Sequence, residues 1–303
     1  PIPIVYCDRC GIVPETKLPV KLPTNVKFTG QGNPLDVDSF KKTSCPKCKG
    51  DATRETDTMD TFFDSSWYYL RFCDPGNNKE PFTKADYWMP VDQYIGGIEH
   101  AILHLLYARF IFKVFRDMGM VKADEPFKRL LSQGMVTYKG AKMSKSKGNV
   151  VDPGEIVTKF GPDTARTFIL FASAPEKELD WSDTGVEASH RFLQRAASMA
   201  DFAGGTDEKD KHLQSKIQQT VRLVTEKLQA FEMNAALQAV METTNFIIAN
   251  KEKISEKKLK QSLAIFYQLI APFAPHLAEE CWERLGNKTL ISLSRWPKYN
   301  ERL

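Results

Sequence analysis

Lys139-Gly140-Ala141-Lys142-Met143-Ser144-Lys145-Ser146-Lys147-Gly148-Asn149 holds four lysines and no acidic residue, with a glycine near either end. Ammonium groups on a glycine-flanked loop suit a polyphosphate, because mobile point charges close over the anion and withdraw after reaction. Ser144 and Ser146 add short hydroxyl donors. A plain solvated basic loop has the same composition, so the neighbouring sequence has to decide. It is not a Walker loop: Gly134 and Gly140 stand too far apart, and Ala141 intervenes before Lys142.

Immediately upstream, Leu130-Leu131-Ser132-Gln133-Gly134-Met135-Val136 reads as one short buried strand leading into the loop. Further back, Tyr94-Ile95-Gly96-Gly97 is a short apolar strand ending in two glycines, which let backbone approach a ligand closely. A helix follows, with free N–H groups at its start and His100 and His104 four residues apart on one face. Those histidines fit a hydrogen-bonded pair in a pocket wall better than a metal site, because Glu99 precedes the first of them. Thr56–Phe63 reads as a strand that hands over at Asp64-Ser65-Ser66 to a helix over Trp67–Phe72, the kind of junction where α/β proteins place ligands. Trp67 and Phe72 are expected to be packing residues.

Cys7-Asp8-Arg9-Cys10 and Cys45-Pro46-Lys47-Cys48 are paired knuckles, each followed shortly by glycine. Two thiolates two residues apart reach adjacent corners of a tetrahedron and a second pair closes it, so the spacing predicts a structural four-cysteine zinc ribbon with no open position for chemistry. Pro14–Pro34 is an irregular excursion within it. Two cysteine pairs plus isolated Cys73 and Cys281 suit a reduced, cytosolic, metal-using protein rather than a disulfide framework. A balance of 42 basic against 38 acidic residues, net +4, permits a nucleic-acid partner without demanding one. The longest apolar run, Ile98–Met118, carries His100, His104, Arg109, Lys113 and Arg116, which argues against a membrane span.

After the loop, Asp152-Pro153-Gly154-Glu155 starts a helix that stops at Phe160-Gly161, and Pro162-Asp163-Thr164 opens another through Phe171. Beyond Ser173-Ala174-Pro175, helical periodicity runs over Gly185–Phe202, Asp210–Phe231, Asn234–Asn250 and Ser255–Leu285, the last split in two at Pro272-Phe273-Ala274-Pro275. This predicts an antiparallel helical bundle. Its basic residues, among them Arg191, Arg195, Lys251, Lys253, Lys257, Lys258 and Lys260, fit a solvated face or contacts to an RNA backbone.

Three motifs carry a resemblance over nearly the whole chain: Asp57-Thr58-Met59-Asp60-Thr61-Phe62-Phe63-Asp64-Ser65-Ser66-Trp67-Tyr68-Tyr69, Tyr94–Ala101, and Lys142-Met143-Ser144-Lys145-Ser146. With these the chain resembles the C-terminal half of bacterial-type leucyl-tRNA synthetases, a family of class I aminoacyl-tRNA synthetases, and the segment Pro272–Trp282 resembles the helical anticodon-binding domain of that subclass. The resemblance implies an α/β fold, the second half of a Rossmann-type catalytic domain, joined to the zinc ribbon and an all-α anticodon-binding bundle. The expected divisions are 1–54, 55–172 and 173–303.

It further implies activation of leucine by ATP with Mg2+ to leucyl-adenylate, then transfer to the terminal adenosine of tRNA(Leu). Phe63, Ser66, Tyr69, His100 and His104 match the family's leucine side. Gly96, Gly97 and Glu99 match the stretch meeting the ribose, and Gln133, Gly134, Met135 and Val136 the one meeting adenine, with Met143 in the same ATP site. Lys142 and Lys145 match the signature lysines that neutralise the leaving pyrophosphate. The family's His-x-Gly-His motif, its editing domain and its small tRNA-elbow domain are not found in these 303 residues, and the chain opens Pro1-Ile2-Pro3-Ile4 without methionine. The expectation is therefore a piece or subunit that is inactive alone and needs an N-terminal synthetase half as partner. A non-catalytic tRNA-binding scaffold, or a zinc-ribbon regulatory protein, is the alternative.

Overall fold

The structure, a computed structural model, describes residues 1–26, 30, 32–144, 146 and 148–300. Lys145, the second signature lysine, lies outside the described residues. Two compact units are present: Pro1–Asp92 with Glu99–Lys128, and Gln93–Ile98 with Arg129–Leu303.

The first unit begins with a four-stranded antiparallel sheet, β1 (Ile4–Cys7), β2 (Gly11–Pro14), β3 (Lys42–Ser44) and β4 (Asp51–Arg54), in the order β2-β1-β4-β3. Each cysteine knuckle sits at the turn of a hairpin, and a short helix α1 (Asp38–Lys41) precedes β3. Between β2 and α1 the described residues form no regular element, as the proline-rich sequence predicts. The core of this module is small: Cys7, Val13 and Cys45 cluster together, and Val5 and Phe40 are also buried.

The expected strand at Thr56–Phe63 is absent. Residues 55–60 are irregular, and helix α2 (Thr61–Ser65) has already begun, because the Asp60 carboxylate caps it by accepting the Phe62 N–H at 2.8 Å. The β-prone threonines and phenylalanines lose to a strong N-cap. Helix α3 (Tyr68–Phe72) follows, then α4 (Ala85–Trp88) and α5 (His104–Asp117). Leu105, Ala108 and Phe112, on one face of α5, join Tyr69, Leu70, Phe82, Ala85 and Val121 in this unit's core. Trp67 packs against that core as expected, whereas Phe72 is 72% exposed. Helix α5 ends with Met118 as its cap and Gly119 in the left-handed region at φ +74°.

In the second unit β5 (Tyr94–Gly97) pairs in parallel with β6 (Leu130–Gln133). The single buried strand expected over 130–136 is instead two strands in different sheets. β6 stops at Gln133, Gly134-Met135 turns the chain, and β7 (Val136–Tyr138) pairs antiparallel with β8 (Ala141–Lys142) and parallel with β9 (Leu179–Asp180). Nor is β6 buried, since Leu130 and Gln133 are exposed. Glycine is required at the break: an ideal Cβ on Gly134 would lie 2.1 Å from the Lys177 carbonyl oxygen. The β7–β8 turn places Lys139 and Gly140 at φ +54° and +70°, the two positive-φ centres of a tight hairpin turn.

Helices α6 (Pro153–Phe160) and α7 (Pro162–Ala172) match the proline and glycine punctuation: Asp152 caps α6 through the Gly154 N–H at 2.8 Å, and Gly161, at φ +84°, separates the two. The bundle comprises α8 (Asp183–Ser198), α9 (Asp210–Gln229), α10 (Met233–Asn250), α11 (Glu256–Ile270) and α12 (Pro275–Arg284), the last two broken at Pro275 as expected. Leu213, Ile217, Val221 and Val224 of α9 meet Leu237 and Val240 of α10 and Leu263 and Phe266 of α11 in one continuous core. The expected division after residue 172 falls between α7 and α8, which pack on each other. The buried Asp163 of α7 also accepts the Leu277 N–H of α12 at 2.8 Å and pairs with His276. Among the described residues no helix is long and apolar enough to cross a membrane.

Candidate nucleotide site, histidine pocket and zinc centre

In the second unit the parallel register aligns Gly96 with Ser132 and Gly97 with Gln133, so both strands end at the same edge. The C-terminal edge of parallel strands is where open α/β sheets leave backbone free for a ligand. An ideal Cβ on Gly96 would meet nothing within 4 Å, so no neighbour in the protein demands glycine there. Gln133, Gly134 and Val136 line an apolar cavity of about 190 Å³ together with Ile95, Leu131 and Leu179. Met135 is half-buried and its carbonyl accepts the Leu179 N–H at 3.0 Å.

The lysine loop leaves the β7–β8 hairpin. Lys142 is the last residue of β8 and is exposed, and Met143 is half-buried. Two residues that sequence reasoning left without a role fix this hairpin. The Asn149 carboxamide accepts the Ser144 N–H at 2.8 Å and donates to the Lys142 carbonyl at 3.2 Å. The Asp180 carboxylate accepts from the buried Thr137 hydroxyl at 2.9 Å and from the Gly140 N–H at 3.1 Å. Asn149 closes the quoted stretch, and its signal was being a carboxamide just past Gly148. Asp180 is forty residues from the turn it holds, and nothing local marks it.

In the first unit the two histidines do come together, though not on one helix. His100 lies in a 3-10 turn (Ile98–Ile102), and α5 begins at His104 after an irregular Leu103, yet the ring centroids are 6.2 Å apart. The Phe62 ring meets His100 edge-on at 5.7 Å, and the Ser65 hydroxyl stands 3.4 Å from His104 Nδ1. His100 Nδ1 is buried with no hydrogen-bond partner among the described residues, an unfilled polar position of the sort a ligand completes. Burial, with a lesser push from His100, holds His104 below the ordinary histidine pKa, favouring its neutral form.

Of the other expected leucine-side residues, Phe63 is half-buried while Ser66 and Tyr69 are inside. The Ser66 hydroxyl donates to the Phe63 carbonyl, and the Tyr69 hydroxyl donates to the Ala108 carbonyl at 3.3 Å. Burial also raises the Tyr69 pKa, so the phenol stays protonated. Glu99 is exposed.

The four cysteines fit a tetrahedral metal. All their sulfurs lie within 4.8 Å of one another, and Cys7 Sγ to Cys48 Sγ is 3.6 Å. A zinc ion with Zn–S bonds of about 2.3 Å sets sulfurs roughly 3.8 Å apart. The thiols are unequal: N–H groups of the second knuckle, Cys48 first, bring Cys45 down to about 6, while burial and then the neighbouring Cys48 and Cys45 push Cys10 up to about 12. With four protein ligands such a centre is closed and serves folding.

Residues 1–182 match the family of class I tRNA synthetases (I, L, M and V), and residues 210–303 match the anticodon-binding domain of tRNA ligases. The chain is 52% identical to a leucine–tRNA ligase of Geotalea uraniireducens and 47% identical to one of Symbiobacterium thermophilum, each match taking in 99% of the chain. It covers only 39% and 41% of those relatives, about two-fifths of their length. Among solved structures, a leucyl-tRNA synthetase of Agrobacterium radiobacter K84, crystallised as a ternary complex with tRNA and LeuAMS, superposes with a TM-score of 0.87 at 40% identity, over all of this chain and 41% of that one. A Mycobacterium tuberculosis methionyl-tRNA synthetase shares the fold at a TM-score of 0.56 and 21% identity, over 73% of this chain and 48% of that one. The family match over 1–182, together with the parallel strands β5 and β6 and the lysine hairpin, makes this chain a member of the class I tRNA synthetases (I, L, M and V).

Proposed function

We propose that the protein of which this chain forms part or all is a leucine–tRNA ligase. In the first step a leucine carboxylate oxygen attacks the α-phosphorus of ATP, the bond to the bridging oxygen breaks, and pyrophosphate leaves with Mg2+. In the second, a ribose hydroxyl of the terminal adenosine of tRNA(Leu) attacks the leucyl carbonyl and AMP leaves. Neither step needs a nucleophile from the protein, so its work is positioning and charge neutralisation.

The observation that carries the reading is the common strand edge of Gly97 and Gln133 in the same unit as the hairpin bearing Lys142. In this reading Gly96 and Gly97 let backbone approach the ribose, with Glu99 on its hydroxyls. Gln133, Gly134, Met135, Val136 and Met143 meet the adenine side of the nucleotide. Lys142 and Lys145 take the charge that builds on the departing pyrophosphate. His100, with its unfilled Nδ1, His104 and Phe63 take the leucine side, and Ser66 and Tyr69 support them from within the core.

Cys7, Cys10, Cys45 and Cys48 would hold a structural zinc. The bundle, whose exposed Lys251, Lys253, Lys257 and Lys260 suit phosphate contacts, would bind tRNA. A partner segment also follows: Leu106 and Phe110, four residues apart on α5, are 60% and 64% exposed, and Ile102 just before the helix and Met118 at its C-terminal cap are 78% and 65% exposed. A surface row of that size is normally covered, and the N-terminal half of a synthetase, in the same chain or as a subunit, is the proposed cover.

Leucine-dependent ATP–pyrophosphate exchange tests the reading, run on this chain with and without the remaining part of the Geotalea relative. Exchange in the reconstituted pair, abolished by Lys145→Ala, is expected. Absence of exchange in that pair, with tRNA binding intact, would instead make the chain a tRNA-binding scaffold.

A further inference from the structure

We propose that Asn149 is a positioning residue for Lys142, acting together with Asp180 to hold the lysine hairpin in its nucleotide-ready shape before ATP arrives; this rests on the ATP-binding reading above. The Asn149 side chain satisfies one backbone donor and one backbone acceptor on either side of Met143, the Ser144 N–H and the Lys142 carbonyl. A carboxamide is the one short side-chain group that offers both functions in a fixed plane, as a neighbouring strand would. The bond pair thereby continues strand-like restraint past the end of β8, where backbone pairing stops. At the other end of the hairpin Asp180 ties the Lys139-Gly140 turn to β9 through the Gly140 N–H and ties β7 through the Thr137 hydroxyl. Between these two anchors the Lys142 backbone is fixed while its ammonium group stays exposed. The Ser144 and Ser146 hydroxyls stand 2.8 Å apart.

Pre-fixing the backbone matters because a loop that is ordered only on binding gives up conformational freedom at that moment and loses affinity accordingly. The effect falls on the groups the hairpin carries, Lys142 at the phosphates and Met143 at the adenine side, and leaves the strand edge of Gly97 and Gln133 alone, since Asn149 and Asp180 bond only the hairpin.

The test measures affinity of the full 303-residue chain for Mg·ATP and, separately, for adenosine, in wild type, Asn149→Ala, Lys142→Ala and the double variant. Losing two backbone-directed hydrogen bonds in Asn149→Ala is expected to weaken Mg·ATP about tenfold, with a much smaller loss of adenosine binding through Met143. In the Lys142→Ala background the same change should cost little, because its effect runs through Lys142. Amide exchange at Ser144 should accelerate in Asn149→Ala without ligand, which reports the anchor independently. If Lys142→Ala weakens Mg·ATP while Asn149→Ala leaves it unchanged, or if the two effects simply add, the positioning role is wrong and the nucleotide reading stands. If wild type holds Mg·ATP no better than adenosine and Lys142→Ala changes nothing, the nucleotide reading itself falls, and this proposal with it.

Discussion

Gly134→Ala separates the two reasons a glycine can occur in this site. An added Cβ would meet the Lys177 carbonyl oxygen at 2.1 Å, its carbon at 2.3 Å and the Glu178 nitrogen at 2.7 Å, all backbone atoms that cannot swing aside. Relief requires 134 and 177–178 to part, which also breaks the Gly134 N–H bond to the Pro175 carbonyl, now 2.9 Å, and strains the β7–β9 pairing that follows at once. Overpacking and one lost half-buried hydrogen bond together cost about 2–4 kcal/mol. Urea unfolding followed by tryptophan fluorescence is a suitable assay, because Trp181 donates its backbone N–H to the Thr137 carbonyl at the end of the same strand pair. The control is Gly96→Ala, whose Cβ has open space and whose backbone is not in the left-handed region. It is expected to unfold within about 0.5 kcal/mol of wild type yet to bind Mg·ATP more weakly. A Gly134→Ala protein as stable as wild type would refute the close-approach argument. A Gly96→Ala protein with unaltered nucleotide affinity would refute the view that Gly96 exists to admit a ligand.

Two further outcomes follow from the first unit. Metal analysis should return one zinc per chain, and chelation should melt the sheet of residues 1–54, whose core is small, while leaving the helical signal of the bundle nearly intact; a sheet that survives a metal-free preparation would count against the zinc assignment. His104, held below its ordinary value by burial and by His100, is neutral in the folded unit near pH 7. A depressed folded pKa means its contribution to stability is complete above the unfolded value of about 6.5 and is lost as pH falls through the lower folded value. An NMR titration of the His104 ring should therefore give a midpoint below that of a free histidine, and a midpoint at or above it would overturn the burial argument.

What the sequence made legible was whatever is written in local chemistry. The proline and glycine punctuation gave α6, α7 and the α11–α12 break, and the cysteine spacing gave a centre whose four sulfurs the fold brings together. The lysine loop and the double glycine, far apart in sequence, fall in the same unit. Legibility failed where a residue's reason lies far along the chain. Leu130–Val136 looks like one apolar strand because nothing within it reveals that Lys177 lies against Gly134. Thr56–Phe63 has the β-propensity of a strand, but the Asp60 cap, also a local signal, starts a helix within it.

The residues missed altogether show why motif reading stops short of a mechanism. A signature motif names the groups proposed to meet the ligand, here Lys142 and Lys145, because those must be the same wherever the same chemistry is done. It is silent on Asp180, which reaches the Lys139-Gly140 turn only after the chain has passed through β8, α6 and α7. Catalysis by charge placement depends on where an ammonium group stands before the substrate binds, since each residue ordered late subtracts from the binding energy available to the transition state. On that ground Asp180 belongs to the proposed mechanism as much as the lysines do, and only the folded chain identifies it.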